Sequence, residues 1–559
     1  MQQEKAKGTC EKRLTKGTGA ARAPLRVAFV HPDLGIGGAE RLVVDAAESL
    51  QDRGHTVYIL TSHFDASHAF EPTRDGTLEV IHAKTWIPRS LFHMLHLPMA
   101  ILQQLSLVMQ VVVAAHGSSL ARHLPHVYRS LTHVPSDSLP DVFVIDQLPT
   151  AIPLIKLLCG RRVMYYCHFP DKEISAALAR QRGTRGLRAL VRAIYRFPLD
   201  VLEEATTQWA DLIVANSRFT ATHFHRVFPR IAKRPSVVYP AVDEAMYTAQ
   251  HVERELATYA STCTTQVGEV GSYAREHLEL VQRVIHANDC PMFFSINRFE
   301  AKKNIPLALH TVARLRQQAQ RETRVRLVCA GGYDARIRDN IETLRSLQSL
   351  ADTLGLTHVT LWNRAPPSRA NDVLPPKAEQ VLKADVIFLP SLPSALLHAL
   401  LHAPSLRALL YTPTNEHFGI VPLEAMVCGV PVVATDTGGP LETVLDASLT
   451  SVSLHGKTQI TDTSAMTGFL RPPSADAWAA ACSTILAWDE GTRAQVAATA
   501  KRWVSERFSV RSMGAELEQH LQKIGMQAVP QAERLQILGT MLALVLMHVV
   551  AVYVVLRSL

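Results

Sequence analysis

Short apolar runs alternate with amphipathic stretches along most of this chain, and each run ends in a polar or glycine-rich turn. The first run is "RVAFVHP"; "DLGIGGAERLVVDAAESLQDRGH" follows, a glycine loop leading into apolar positions three and four apart, and then "TVYILTS". Compact β-branched and aromatic runs predict strands buried on both faces, and the 3.6-residue spacing predicts a helix. Strand, glycine loop, helix, strand is the opening of a Rossmann-like domain. "DVFVIDQLP", "RVMYYCHFPD", "DLIVANSRFTATHFHRVF" and "PSVVYPAVDEAMY" continue the alternation and close a first domain over 26–245. Residues 246–289 lack strong strands and read as linker and insertion. The alternation resumes with "CPMFFSINRFEAKKNIPLALHTVARLRQQ", "RVRLVCAGGYD", "THVTLWNRAP" and "ADVIFLPS". These predict a second Rossmann-like domain over 290–472, with helices over 473–530.

Three stretches depart from this pattern. "WIPRSLFHMLHLPMAILQQLSLVMQVVVAA", residues 86–115, is strongly apolar but carries prolines, histidines and glutamines. It reads either as an interfacial, membrane-associated segment or as a core helix. "PSLPSALLHALLHAPSLRALLY" is longer than a minimal domain needs, and packing is its expected role. "LQILGTMLALVLMHVVAVYVVL", residues 535–556, has no charge, lies between Arg534 and Arg557, and is long enough to cross a bilayer, which takes about 20 residues.

Length and composition narrow the reading further. With 559 residues the chain exceeds one ordinary core, and 47% hydrophobic content is that of a globular protein. The formal charge of +8 owes much to a polar, basic tail over 1–25, which lacks the apolar stretch of a secretory signal and reads as a solvated extension, with no nucleic-acid partner expected. Eight scattered cysteines without a C-x-x-C pair fit a reducing compartment, and 25 histidines show no metal-ligand spacing, so neither metal nor cofactor is expected.

The candidate chemistry gathers at predicted strand ends. "YTPTNEHFGIVPLEAMVCGVPVVATDTGGPLETV", Tyr411–Val444, reads strand, loop, helix, strand, loop, with Glu416 and Glu424 bracketing the helix start at Gly419. Free N–H groups at such ends favour anions, and carboxylates beside them suit hydroxyls, so a nucleotide sugar fits both. Arg298 and Lys303 follow the first strand of the second domain, where a guanidinium fork and an ammonium suit a diphosphate. His168 ends a first-domain strand. Gly35, Gly37 and Gly38 allow close backbone approach, while Glu40 stands where the dinucleotide fingerprint needs a small residue, which counts against NAD or FAD.

Glu416, seven residues and Glu424 match the E-x7-E motif of retaining glycosyltransferases of the GT-B fold. The longer string resembles the dolichol-pathway α-1,3/1,6-mannosyltransferases, of the family 4 type, and the likeness covers roughly residues 26 to 525. The resemblance implies an α/β protein of two facing Rossmann-like domains with a C-terminal transmembrane helix. It implies catalytic roles for Glu416, His168, Arg298 and Lys303, and donor binding by Gly37, Gly38, Arg298, Lys303, Gly419, Ile420, Val421 and Glu424. It further implies GDP-mannose as donor, a dolichyl-diphosphate oligosaccharide as acceptor, and a place on the endoplasmic reticulum membrane facing the cytosol, open to other enzymes of the same pathway. Rival readings are a related enzyme with another nucleotide sugar or lipid acceptor, a non-catalytic membrane-tethered scaffold, and, weakest, a nicotinamide oxidoreductase.

Overall fold

The computed structural model describes residues 23–91, 95–116, 139–181, 183, 185–265, 269–318, 324–363, 376–446 and 465–558. Its frame is two seven-stranded sheets in which every paired strand is parallel. The first contains β1 (Arg26–Asp33), β2 (Thr56–His63), β3 (Glu79–His82), β4 (Val142–Asp146), β5 (Arg162–Cys167), β6 (Leu212–Ala215) and β7 (Ser236–Val237), in the order β3-β2-β1-β4-β5-β6-β7. The second contains β8 (Met292–Ile296), β9 (Arg326–Gly331), β10 (His358–Thr360), β11 (Val386–Pro390), β12 (Leu406–Tyr411), β13 (Val432–Thr435) and β14 (Gly468–Arg471), in the order β10-β11-β9-β8-β12-β13-β14. The two predicted Rossmann-like units are therefore present. The apolar runs became strands because helices cover both faces: every residue of β4, β8 and β11 is buried. Each such Val, Ile, Leu or Phe contributes about 1.5–3 kcal/mol. The two edge strands β3 and β14 escaped prediction.

Helices used below are α1 (Gly38–Asp52), α2 (His96–His116), α3 (Asp171–Gln181), α4 (Gly186–Thr207), α5 (Arg218–Val227), α6 (Ala249–Thr265), α7 (Glu269–His286), α8 (Ser394–Leu401), α9 (Val421–Val427), α10 (Glu490–Arg507), α11 (Val510–Ile524) and α12 (Gln531–Ser558). The stretch read as linker and insertion forms α6 and α7. Their Val252, Cys263, Leu278, Val281 and Val284 lie in the same buried cluster as Phe294 and Leu409 of the second sheet. Helix α8, from the longer apolar segment, buries Leu396, Leu400 and Leu401 and is core.

Helix α2 divides its surface. Leu107, Val108 and Val111 join the first domain's core, and Gln104 donates to the Leu148 carbonyl at 2.8 Å, while Leu102 and Met109 are exposed. Among the described residues, His96–Val113 is the one helical stretch that is both long and apolar enough to cross a membrane, and 33% of it is buried. Helix α12 covers the predicted span 535–556, but its side chains from 547 onward lie outside the described ones, as does the tail over 1–22.

The chain's end returns to the first domain. Met513, Leu517 and Leu521 of α11 pack into the core around β1 and β2, and Arg53 bonds Glu518 at 3.0 Å. At the start of α12, Glu533 pairs with Lys156, which is fully buried and also bonds Asp211 at 2.9 Å. Val529 N–H donates to the Gly160 carbonyl at 2.9 Å, Arg534 donates to the Leu157 carbonyl, and Ile537 is buried. The outgoing and returning crossings between domains touch: Val242 N–H donates to the Phe508 carbonyl at 2.8 Å, and Val242 bridges Ser509.

Candidate active site

Strands β1, β4 and β5 are neighbours in the first sheet, and their carboxyl ends carry His31, Asp146 and, just beyond β5, His168. Asp146 receives His31 Nδ1 at 2.8 Å and His168 Nε2 at 3.1 Å. Burial opposes ionisation of Asp146, but the two imidazoles outweigh it and hold the carboxyl low, at about 2. Burial likewise disfavours a charged His31, and Asp146 with Glu40 overcomes it and raises the imidazole to about 10. His31 Nε2 lies 3.6 Å from Glu40 Oε1.

Glu40 thus has a use that explains its place in the glycine loop. It sits in the first turn of α1 and folds back over Gly37, where a Cβ would come within 2.3 Å of its carboxylate. Gly37 must stay bare for that contact. Gly38 begins α1 with nothing within 4 Å of a Cβ position, so the loop surface is open there.

The second domain presents the basic and acidic residues at adjoining strand ends. Arg298 follows β8, with its side chain 62% exposed and 3.2 Å from Glu300. Lys303 Nζ bonds Glu416 Oε2 at 2.6 Å. Burial raises Glu416, but Lys303 prevails and holds its carboxyl below the ordinary range. Burial raises the Glu424 carboxyl, on α9, against the opposing influence of the Tyr247 hydroxyl, His398 and Arg41.

Gly419, Ile420 and Val421 lie between the two glutamates, and Ile420 caps α9. Gly419 has φ +85°, and a Cβ there would press on the Tyr411 hydroxyl at 2.9 Å. Gly419 thus leaves room for Tyr411, whose ionisation is opposed by burial and by the nearby Glu416 and Glu424 carboxylates. Gly439 N–H donates to the Glu416 carbonyl at 2.8 Å, tying the "DTGGP" turn beneath the loop.

The loop also crosses to the first domain. The His417 ring stacks on Phe169, centroids 3.7 Å apart and planes 2° from parallel, and its carbonyl accepts from the Ser217 hydroxyl at 2.5 Å. Glu442 accepts from the Arg218 and Phe219 N–H groups at 2.8 and 2.9 Å and from Tyr239 Oη at 3.0 Å. The residue after Glu416 therefore rests on the residue after His168. One cleft gathers the sequence-predicted Glu416, Lys303 and His168. It adds His31, Asp146, Tyr411, His417 and Glu442, which sequence reasoning missed. Their only signal was polarity at the end of an apolar run. Among the described residues, no group of three or more His, Cys, Asp or Glu could hold a metal ion.

Two facing parallel-sheet domains with this cleft define a GT-B glycosyltransferase. Residues 36–245 match Glycosyltransferase Family 4, and residues 376–503 match Glycosyl transferases group 1. The fold resembles the catalytic domain of starch synthase IV from Arabidopsis thaliana bound to ADP and acarbose, with TM-score 0.56 and 14% identity over 90% of this chain and 99% of that one. It also resembles Anabaena Alr3699/HepE in complex with UDP-glucose, with TM-score 0.52 and 18% identity over 89% of this chain and 100% of that one. The chain is 37% identical to the alpha-1,3/1,6-mannosyltransferase ALG2 of Rhizomucor pusillus, over 89% of this chain and 88% of the relative. It is 34% identical to the protein of the same name from Saccharomyces cerevisiae, over 89% of this chain and 84% of the relative. This chain belongs to the ALG2 family of alpha-1,3/1,6-mannosyltransferases, and it is an enzyme of glycosyl transfer.

Proposed function

We propose that the protein transfers mannose from GDP-mannose to a dolichyl-diphosphate oligosaccharide, first in α-1,3 and then in α-1,6 linkage, with retention of configuration. The observation that carries this reading is the Lys303–Glu416 pair at 2.6 Å, set next to the His417–Phe169 stack that adjoins His168. In the donor complex Lys303 and Arg298 take the diphosphate oxygens and offset the charge that develops on the leaving GDP. Glu416, relieved of Lys303, accepts from mannose hydroxyls, and Glu424 accepts from the ribose. His168, held by Asp146, orients a hydroxyl at the first domain's edge of the cleft. No carboxylate is assigned as a covalent nucleophile, and front-face attack by the acceptor hydroxyl on the anomeric carbon is the more economical course. Charge stabilisation by two cationic side chains supports transfer without a divalent ion.

In this reading residues 26–245 hold the acceptor and 290–472 hold the donor. Helix α12 crosses the endoplasmic reticulum membrane over 535–556, and α2 adds a surface contact through its exposed Leu102 and Met109. The test is thermal stabilisation by GDP, GDP-mannose, UDP and NADH. A ligand at a hundred times its Kd stabilises by about 2.7 kcal/mol. Guanine ligands are expected to raise the melting temperature, and a larger shift with UDP or NADH would replace GDP-mannose as donor.

A further inference from the structure

Helix α4 is inverted over its first half. Arg192 and Arg196 point inward: Arg192 donates to the carbonyl and hydroxyl of Ser175 on α3, and Arg196 bonds Asp171 at 2.7 Å and Asp200 at 2.6 Å. Leu190, Val191, Ile194 and Phe197 face outward, with 56, 59, 63 and 71% of their surface exposed. Residues three and four apart share a helix face, so these four make one stripe, and a solvated helix shows the reverse arrangement. Ile174 and Leu178, one turn apart on α3, are exposed too. Beyond Pro198 the helix enters the domain and Glu203, Thr206 and Thr207 are buried.

Arginine dominates the charge around this stripe, with Arg180 paired to Glu173 at 2.7 Å and Arg196 to Asp171 and Asp200. Between Glu173 and Asp200 the sequence holds Arg180, Arg182, Arg185, Arg188, Arg192 and Arg196 and no carboxylate. Arg185 and Arg188 are exposed. Other apolar surface lies on helices that share a neighbour with α4. Helices α2, α4 and α12 all pack on the short helical segment Pro149–Cys159. Leu102 and Met109 of α2 and Leu535, Leu538, Leu542 and Val545 of α12 are exposed. The hairpin is fastened to the site, because α3 starts directly after His168, Phe169 and Pro170, and Glu203 accepts from the Asp171 and Lys172 N–H groups at 2.8 and 3.1 Å.

We propose that the α3–α4 hairpin rests on an anionic lipid surface, with Leu190, Val191, Ile194 and Phe197 entering the headgroup boundary and Arg185 and Arg188 meeting lipid phosphates. Apolar side chains ringed by arginine match such a surface. A second copy of the chain fits it poorly, since a two-fold contact through the stripe would bring two arginine rims together. The consequence for the enzyme rests on the lipid-acceptor reading above: the contact turns the His168 end of the cleft toward the headgroup layer.

The test uses the full chain in nanodiscs of phosphatidylcholine, with and without phosphatidylserine. An environment-sensitive fluorophore is placed at Ile194→Cys, or at Glu342→Cys on the other domain as a control. The label at 194 is expected to shift to the blue and to be quenched by lipid-borne spin labels, more with phosphatidylserine, while the label at 342 is not. Arg185→Gln with Arg188→Gln is expected to weaken the contact by roughly fivefold per charge on the anionic bilayer alone. A water-like label at 194 in both discs overturns the proposal. So does a blue shift without lipid that grows with protein concentration, which would mark self-association. In a second arm Leu190→Ser, Ile194→Ser and Phe197→Ser, all at exposed positions, are combined. KM for a lipid-linked acceptor is expected to rise with KM for a short water-soluble acceptor unchanged, and equal rises count against the contact. The fluorescence needs no turnover, so lipid contact without mannosyl transfer rejects only the proposed function, and transfer with a water-like label rejects only this contact.

Discussion

Asp146 holds His31 and His168 at once, at 2.8 and 3.1 Å, from the end of the strand between them. An ionised carboxylate only accepts, so both ring nitrogens carry hydrogens. His168 is thereby fixed with a hydrogen on Nε2.

Asp146→Asn is expected to lower both transfer and stability. Removing one member of a buried pair costs about 3–5 kcal/mol, because the other is left uncompensated. His31 is raised from 6.5 to about 10, so its share is fully present below pH 6.5 and fades as pH rises toward 10. Asp146 is lowered from 3.8 to about 2, so its share is present above pH 3.8 and is lost only toward pH 2. The melting-temperature gap between wild type and variant should be widest between these limits and narrow toward pH 10. A gap that widens with alkali would contradict a charged His31.

Arg298→Ala and Lys303→Ala are each expected to lower kcat/KM by one to two decades, about 1.5–3 kcal/mol of charged hydrogen bonding. Arg298 is exposed, so its loss should leave the melting temperature in place. Lys303→Ala also strips Glu416 of its partner, and the Glu416 carboxyl should then titrate higher. Unchanged transfer in both variants would remove the pair from the chemistry.

Glu424→Gln is expected to weaken binding of GDP itself, whereas Glu416→Gln should slow transfer with GDP affinity nearly intact. Calorimetry with GDP, which has no sugar to contact Glu416, separates the two. Equal losses of affinity would defeat the division of roles.

His417 gives an acid limit. Burial lowers its imidazole from 6.5 to about 4, so folding favours the neutral ring. That stabilisation is present above pH 6.5 and is lost as pH falls toward 4. It amounts to about 3 kcal/mol at most. His417→Gln should flatten the fall of melting temperature across that interval, and an unaltered profile would exclude His417 as its source.

What could be read from the sequence follows burial. Strands such as "DVFVID" and "ADVIFLP" declare themselves because both faces are covered, so nearly every residue is apolar. Four-residue β3 pairs at the sheet's edge and half faces solvent, which leaves little pattern to see. Helices α6 and α7 lie where the lack of strand-like apolar runs reads as linker, although Val252, Leu256, Tyr259 and Cys263 repeat at helical spacing. The E-x7-E and Lys303 were legible as local strings. The His31–Asp146 bond was not, because it joins residues 115 apart that meet only when β1 and β4 pair. His417 on Phe169 and Glu442 on α5 exist only once the domains dock. Val108 shows the last limit: an apolar run looks the same whether it faces lipid or core, and this residue is core.

The fastening of α12 to Lys156 ties the end of the chain to one half of the molecule. Both α11 and α12 belong to the half that contains His168, and the other half is joined to it by two crossings side by side at Val242 and Phe508. Paired crossings act as a single pivot. On the proposed function, with α12 holding the His168 half at the membrane, opening for nucleotide exchange would fall to the half that carries Arg298, Lys303 and Glu424, swinging about that pivot. The acceptor would then stay in register while one nucleotide leaves and the next arrives, as two successive bonds on one glycan require.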